Sequence, residues 1–135
     1  MAVVSHDGPV LPPGWPTPRG YSNGYRIGDT LFVGGQVAFD QDERIVGPGD
    51  FVAQFGQALR NVRAVVEAAG GRPDQVGRMT VFVTDREAYL GATRALGPVW
   101  REVFGRHYPA MALVIVAGLV EPDAMVEIEA TAVLT

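Results

Sequence analysis

The last quarter of the chain constrains the fold most, because two apolar stretches there flank a short turn. The first stretch, residues 109–120, contains no charged residue, which is typical of a β-strand covered on both faces. Residues 121–123 are Glu-Pro-Asp, a sequence suited to a turn. The second stretch, residues 124–134, alternates between apolar and polar residues over much of its length. The pattern predicts two strands around one turn.

The alternation in the second stretch places two carboxylates on one face. Successive side chains of a strand point to opposite faces, so Glu127 and Glu129 lie on one face while Val126 and Ile128 lie on the other. A carboxylate beside an apolar strand must be paired, or its face must open to a cavity, water or a partner chain. We therefore expect any functional site to lie on the face of Glu127.

Composition narrows the class of protein. A chain of 135 residues suits a single domain, residues 1–135, and the 47% hydrophobic content suggests that part of its surface is covered by other copies. The net charge of −4 and the absence of a basic run disfavour binding to nucleic acid. With no cysteine, the chain has no disulfide, thiolate nucleophile or thiolate metal site.

The start of the chain, residues 1–9, has neither the basic segment nor the long apolar core of a signal peptide. The longest apolar run is about half of the ~20 residues that a membrane span needs. We expect a cytoplasmic protein that does not enter a membrane.

Residues 1–20 are predicted to form an extended, proline-rich arm, because residues 9–20 contain five prolines and two glycines. Trp15 within this arm is interpreted as a plug over an apolar surface, with a platform for a ligand as the alternative.

Strands are predicted over residues 21–27 and 30–37, joined by a tight hairpin at Gly28-Asp29. Gly34-Gly35 interrupts the second strand and indicates either a bulge or close approach of a ligand to the main chain.

Two helices are predicted. Asp50 is a suitable N-cap, and the apolar stripe that follows it ends at Gly70-Gly71. After a predicted strand over residues 78–84, Asp85 caps a second helical region, in which Gly97-Pro98 predicts a kink or a fresh helix start. The order of elements predicts an α/β (α+β) domain, in which a mixed or antiparallel sheet carries both helices on one face. The other face then has no cover of its own, which favours assembly with further copies.

No phosphate loop, dinucleotide fingerprint or metal-spaced cluster is present, so we expect no metal and no cofactor. The two histidines, His6 and His107, have no evident acidic partner, and His107 is interpreted as a residue of the surface or one that stabilises a loop. The carboxylate pair is the remaining chemical group.

Five short motifs in one order, spanning about residues 20–134, resemble the Rid/YjgF family of reactive intermediate deaminases. They are Tyr21-Ser22, Gly34-Gly35-Gln36, the segment 80–85, Tyr108-Pro109-Ala110 and the segment 126–130. The resemblance implies a chorismate-mutase-like fold, a homotrimer with sites between subunits, and cofactor-free hydrolysis of enamines or imines to carbonyl compounds and ammonia.

The resemblance also implies the roles of individual residues. Glu127 would activate water or relay its proton, Tyr21 and the main chain near Gly35 would line the pocket, and main-chain groups near Leu113 would contact the substrate. A half-buried carboxylate with a raised pKa can perform such proton transfers.

The sequence departs from the family pattern at Met111, where the best-known members have an arginine that holds the substrate carboxylate. A thioether cannot form such a charged pair, and its loss costs a carboxylate ligand about 2 to 5 kcal/mol. We therefore expect a less acidic, larger or more apolar substrate than the usual 2-imino acids. A displaced anchor would have to come from another arginine, and the candidates are Arg19, Arg26, Arg101 and Arg106.

Two other functions stay open at this stage. The chain can be a non-catalytic trimer that binds a small metabolite or a partner enzyme, or it can be a ribonuclease, as some relatives are. The acidic balance disfavours the ribonuclease.

Overall fold

The computed structural model describes residues 6–135. Residues 1–5, which begin the predicted arm and the segment without signal-peptide features, lie outside the described residues. Six strands and two long helices make up most of the fold. They are β1 Gly8–Val10, β2 Gly24–Ile27, β3 Thr30–Gln36, α1 Phe51–Ala68, β4 Val76–Val83, α2 Arg86–Phe104, β5 Ala110–Ile115 and β6 Val126–Val133, with a short 3-10 helix at Pro73–Gln75.

The strands form one mixed sheet in the order β1-β2-β3-β6-β4-β5, in which only β4 and β5 run parallel. One face of the sheet packs against both helices, and side chains such as Leu31, Val81 and Ile128 on that face are fully buried in a single apolar core. The predicted mixed sheet with both helices on one face is confirmed. The opposite face, called the open face below, carries exposed Tyr25, Phe32 and the other large side chains that alternate with the core.

The relation between the last two strands differs from the prediction. β5 and β6 are separated by β4, so they are not neighbours around a turn, although Pro122-Asp123 does form a turn in the connection between them. β5 lies at the edge of the sheet, and five of its six residues are exposed in the single chain. The expectation of a strand covered on both faces is therefore wrong for this chain alone. Because the described chain leaves these residues exposed, any further cover for β5 must come from outside it.

The helices begin and end as their sequences indicate. The side chains of Asp50 and Asp85 each accept a hydrogen bond from a main-chain N–H in the first turn, both at 3.1 Å. The chain leaves α1 through Gly70 at a φ of +83°. The predicted fresh start at Pro98 is wrong, because α2 runs through it as one helix. The buried stripe of α2 continues on both sides of Pro98, which compensates for the hydrogen bond that proline cannot make.

The hairpin between β2 and β3 is present, with Ile27 paired to Thr30 and Gly28 at a φ of +59°. β2 is shorter than predicted, because Tyr21 and its two successors lie before the strand. The arm contributes β1, a short edge strand that the proline content did not suggest.

A buried amide that the sequence analysis did not single out fixes the connection before β6. Gln54 of α1 is fully buried, and its side-chain amide donates to the carbonyl oxygens of Gly47 and Asp123 at 3.2 and 3.0 Å. Its carbonyl oxygen accepts from the Met125 N–H at 2.8 Å. These bonds hold the start of β6 against α1. Within residues 6–135, neither helix has the length and apolar character needed to span a membrane.

Candidate functional site

Glu127 lies on the open face in the middle of the sheet. On β6 it is paired with Phe82 of β4, which is paired in turn with Val114 of β5. Directly paired residues of neighbouring strands share a face, so Phe82 and Val114 form an apolar row that leads from Glu127 to the edge of the sheet. The carboxylate therefore has hydrocarbon on its β4 side.

The surroundings of Glu127 favour its neutral form. The side chain is half-buried, and desolvation raises the pKa of the carboxyl group above its ordinary value of 4.5. The negative charge of Glu129 on the same face raises the pKa further. The ion pairs found in residues 6–135 do not include Glu127. A carboxyl group in this state can hold or release a proton nearer to neutral pH than an exposed glutamate can.

Gly35 makes room for this carboxylate. The pairing of β3 with β6 shifts between Val33 and Gln36, so the predicted bulge is present. A Cβ atom at position 35 would lie 2.8 Å from Cδ and 3.2 Å from Oε1 of Glu127. The Glu127 side chain, and not a ligand, is therefore the group that lies close to the main chain of the bulge.

Met111 and Leu113 lie on the other side of the sheet from Glu127. Met111 is paired with the buried Met79 and Leu113 with the buried Val81, so both side chains point towards the helices. Within one chain the structure does not bring Met111 together with Glu127. β5 is an edge strand, and its outer main-chain groups face away from β4.

Tyr21 is 61% exposed. It lines a cavity of about 620 Å³ whose walls include neither Glu127 nor Gly35, and neither Met111 nor Leu113. Of the residues that the resemblance assigns to one pocket, the single chain brings Gly35 against Glu127 and places Met111 and Leu113 on the opposite face.

The open face also carries Arg78, a positively charged residue that the sequence analysis did not single out. Arg78 of β4 shares this face and, with Glu129 and Thr80, lines a shallow cleft of about 190 Å³. The alternation of β4 between outward Arg78, Thr80 and Phe82 and inward aliphatic residues was the signal. Arg78 precedes Phe82 by four residues, a distance of roughly 13 Å along the strand, so it does not reach a small ligand at Glu127.

Arg26 and His107 have local roles outside this site. Arg26, which the sequence analysis considered as an anchor, forms an ion pair with Asp29 at 3.8 Å beside the hairpin. The ring Nε2 of His107 donates to the Val76 carbonyl oxygen, 2.6 Å away, and the Trp100 indole N–H donates to the His107 carbonyl oxygen at 3.0 Å. His107 thus stabilises the loop before β5. In residues 6–135 no three acidic or histidine side chains are placed to hold a metal ion.

Comparisons with known proteins agree on the relatives of this chain. The model of the family described as endoribonuclease L-PSP matches residues 16–134. TdcF of E. coli, solved with bound serine, is 32% identical with a TM-score of 0.79, and the match covers 94% of this chain and 98% of that one. RidA of the Antarctic bacterium Psychrobacter sp. is 31% identical with a TM-score of 0.78, over 93% and 98% of the two chains.

A third structure, YyfA of the Rid protein family from Yersinia pestis, is 26% identical with a TM-score of 0.80, over 95% of this chain and 99% of that one. The fold, the family model and these structures all extend over nearly the whole chain. The chain therefore belongs to the endoribonuclease L-PSP family, the Rid/YjgF family that its five motifs resemble.

Proposed function

We propose that the chain is a cofactor-free hydrolase that converts a reactive enamine or imine to a carbonyl compound and ammonia, with Glu127 as the acid and base. The observation that carries this proposal is the half-buried Glu127 carboxyl group, whose pKa is raised. The carboxyl group lies against the main chain of Gly35 and beside the apolar row of Phe82 and Val114. Family membership supports the reaction class.

The chemistry requires two proton transfers at one place. Water adds its oxygen to the carbon of the protonated imine while the Glu127 carboxylate takes a proton from that water, which gives a neutral carbinolamine and a Glu127 carboxylic acid. The carboxylic acid then returns this proton to the nitrogen, and the C–N bond breaks. The hydroxyl group loses its proton to the departing ammonia as the carbonyl forms, so that ammonium leaves and the Glu127 carboxylate is restored. An enamine first takes a proton on carbon and becomes an imine.

The proposed substrate lacks the carboxylate of a 2-imino acid. Phe82 and Val114 beside Glu127 are apolar, Met111 stands where the family pattern has an arginine, and Arg78 is too distant along β4 to replace it. Glu129 adds a negative charge to the same face, which disfavours an anionic substrate. A neutral or cationic imine with an apolar body fits these surroundings.

The test is ammonia release from two imines generated in situ. One is an aromatic imine formed from its amine by an amine oxidase, and the other is a 2-imino acid formed by an amino acid oxidase. We expect the protein to accelerate hydrolysis of the aromatic imine and to prefer it by at least about tenfold in kcat/KM, since the loss of a carboxylate clamp costs about 2 to 5 kcal/mol. A preference for the 2-imino acid would contradict the proposed substrate class, and no acceleration of either compound would contradict the reaction.

The complete site is proposed to need two copies in a homotrimer. Met111 and Glu127 face opposite sides of one sheet, so both can border one cavity only if different chains supply them. The apolar edge strand β5 and the exposed side chains of the open face are surfaces that such an assembly would cover.

Mixed assemblies test this arrangement. Glu127→Gln removes the base, and Met111→Glu places a charge in the apolar part of the proposed pocket, so each variant alone should be inactive. Mixing equal amounts by unfolding and refolding together should restore about a quarter of the wild-type activity, because random assembly places an intact Glu127 opposite an intact Met111 in that share of sites. Wild-type protein taken through the same procedure is the control for recovery. Mixtures as inactive as the separate variants, from assemblies shown to be mixed, would contradict a site shared between chains.

A second candidate function is binding of a small metabolite without turnover. It is supported by Met111, since loss of the clamp residue weakens the catalytic pattern of the family while leaving the open face in place. Saturable binding of the aromatic imine's stable amine analogue without ammonia release, unchanged by Glu127→Gln, would favour this function.

A further inference from the structure

The cavity that Tyr21 lines does not include Glu127 in its walls, and the reaction proposed above does not use it. It is an open cleft with a volume of about 620 Å³, bordered by the N-terminal arm, the loop that follows β3, and the flank of α1. We call it the arm cavity. Its volume lies within the range of roughly 300 to 1,000 Å³ that is usual for sites binding small organic molecules.

The floor of the arm cavity is held by buried amides. The Asn61 side-chain amide of α1 donates to the carbonyl oxygens of Val37 and Phe39, both at 3.0 Å. Gln36 donates to Asn23 Oδ1 at 3.3 Å and to a carbonyl oxygen of the bulge. Asn61 and Gln36 are each only 6% exposed. These bonds fix the loop against α1, so the cavity is formed before any ligand binds.

Aromatic side chains line the cavity. Trp15 and Phe39 are half-buried, and Tyr21 lies at the rim. Trp15 also packs against the core, which confirms contact with an apolar surface and holds its ring in place. Aromatic faces attract apolar bodies and organic cations. The two interpretations of Trp15, plug and platform, are therefore compatible.

The charge of the lining is negative. Asp40, Asp42 and Glu43 supply three negative charges and Arg60 supplies one positive charge, which gives −2 at neutral pH. Asp40 is used within its own loop, where it accepts from two main-chain N–H groups. The ion pairs among residues 6–135 do not include Asp42 or Glu43. Arg60 donates to Gln57 of its own helix at 3.4 Å.

We propose that the arm cavity is a second binding site, which takes an organic ammonium ion with an aromatic or apolar body. The body lies against Trp15 and Phe39, and the positive charge lies towards Asp42 and Glu43. An anion of the same size is disfavoured by these two carboxylates. The site is independent of Glu127, which does not line the cavity.

Phenyltrimethylammonium is a suitable probe, because it has no N–H group and cannot form an enamine or imine. We expect it to bind saturably, as measured by calorimetry, and to change tryptophan fluorescence in the wild-type protein but much less in Trp15→Phe, which retains Trp100. Benzoate, with the same ring and the opposite charge, should not bind. The double variant Asp42→Asn/Glu43→Gln should bind the cation roughly tenfold more weakly.

The matched control is Glu87→Gln/Glu102→Gln, which removes the same charge from exposed positions on α2 that do not line the cavity. This variant and Glu127→Gln should bind the probe as tightly as the wild type. Equal binding of benzoate, equal losses in the two double variants, loss of binding in Glu127→Gln, or no saturable binding by folded protein would each overturn the proposal.

Discussion

Replacing Glu127 by glutamine is expected to lower kcat/KM for ammonia release by about 10²- to 10⁴-fold, the contribution usual for a positioned general acid and base. Glutamine has nearly the same shape but cannot exchange a proton at these steps. The carboxyl group is half-buried with a raised pKa, so its removal also relieves a desolvation cost, and the variant should fold at least as stably as the wild type at neutral pH. The measurement is initial-rate ammonia release, with spontaneous hydrolysis of the imine subtracted.

Glu129→Gln is the matched control for this substitution. Glu129 lies two residues along β6 on the same face, but it is exposed and paired with Thr80, away from Phe82 and Val114. Its rate should remain within a few-fold of the wild type. If the two variants lose activity equally, or if Glu127→Gln keeps the wild-type rate, Glu127 does not perform the proton transfers.

Gly35→Ala is expected to reduce activity by roughly 100-fold, because displacing a catalytic group by about an ångström has an effect of this size. The added Cβ would lie 2.8 Å from Cδ of Glu127, closer than such atoms approach. The nearest atoms belong to the end of a flexible side chain, so the carboxyl group can move away and the fold is retained. The loss should therefore appear in the rate, with little change in the urea midpoint of unfolding.

Gly77→Ala on β4 is the control, since a Cβ there meets nothing within 4 Å. A double-mutant cycle locates the effect further. In a Glu127→Ala background the space beside position 35 is free, so Gly35→Ala should no longer lower the residual activity. The same 100-fold loss with Glu127 already removed would show that the bulge acts on the reaction by another route.

Local pattern was sufficient for most of the fold. The caps at Asp50 and Asp85, the Gly28 hairpin and the inward set of β6 all follow from spacing and from the conformational preferences of single residues. The order of strands does not, because nothing in residues 109–134 indicates that β4 inserts between β5 and β6. The sequence of an uncharged strand does not show whether its own chain or another chain covers it. This is why β5 was predicted to be covered on both faces within the chain.

The sequence also predicted only those parts of the candidate site that depend on local pattern. Alternation along β6 placed Glu127 and Glu129 on the open face, and the paired glycines indicated the bulge that Glu127 approaches. Alternation alone could not place Met111 relative to Glu127, since this depends on the register of β5 with β4. Arg78 was not predicted as a site residue, because a single charged side chain in a strand does not show which neighbouring residues share its face. The arm cavity arises from three distant segments that no local pattern connects.

The pH dependence of kcat/KM tests the central claim most directly. The base must be ionised, so activity should fall as the pH decreases through the pKa of Glu127 in the free enzyme, and this apparent pKa should lie above 4.5. Glu129→Gln should shift it downwards, because the Glu129 charge is one cause of the raised pKa. This acidic limb should be absent from the residual rate of Glu127→Gln. An apparent pKa at or below 4.5 in the wild type, or the same acidic limb in Glu127→Gln, would contradict the role of Glu127 as the base.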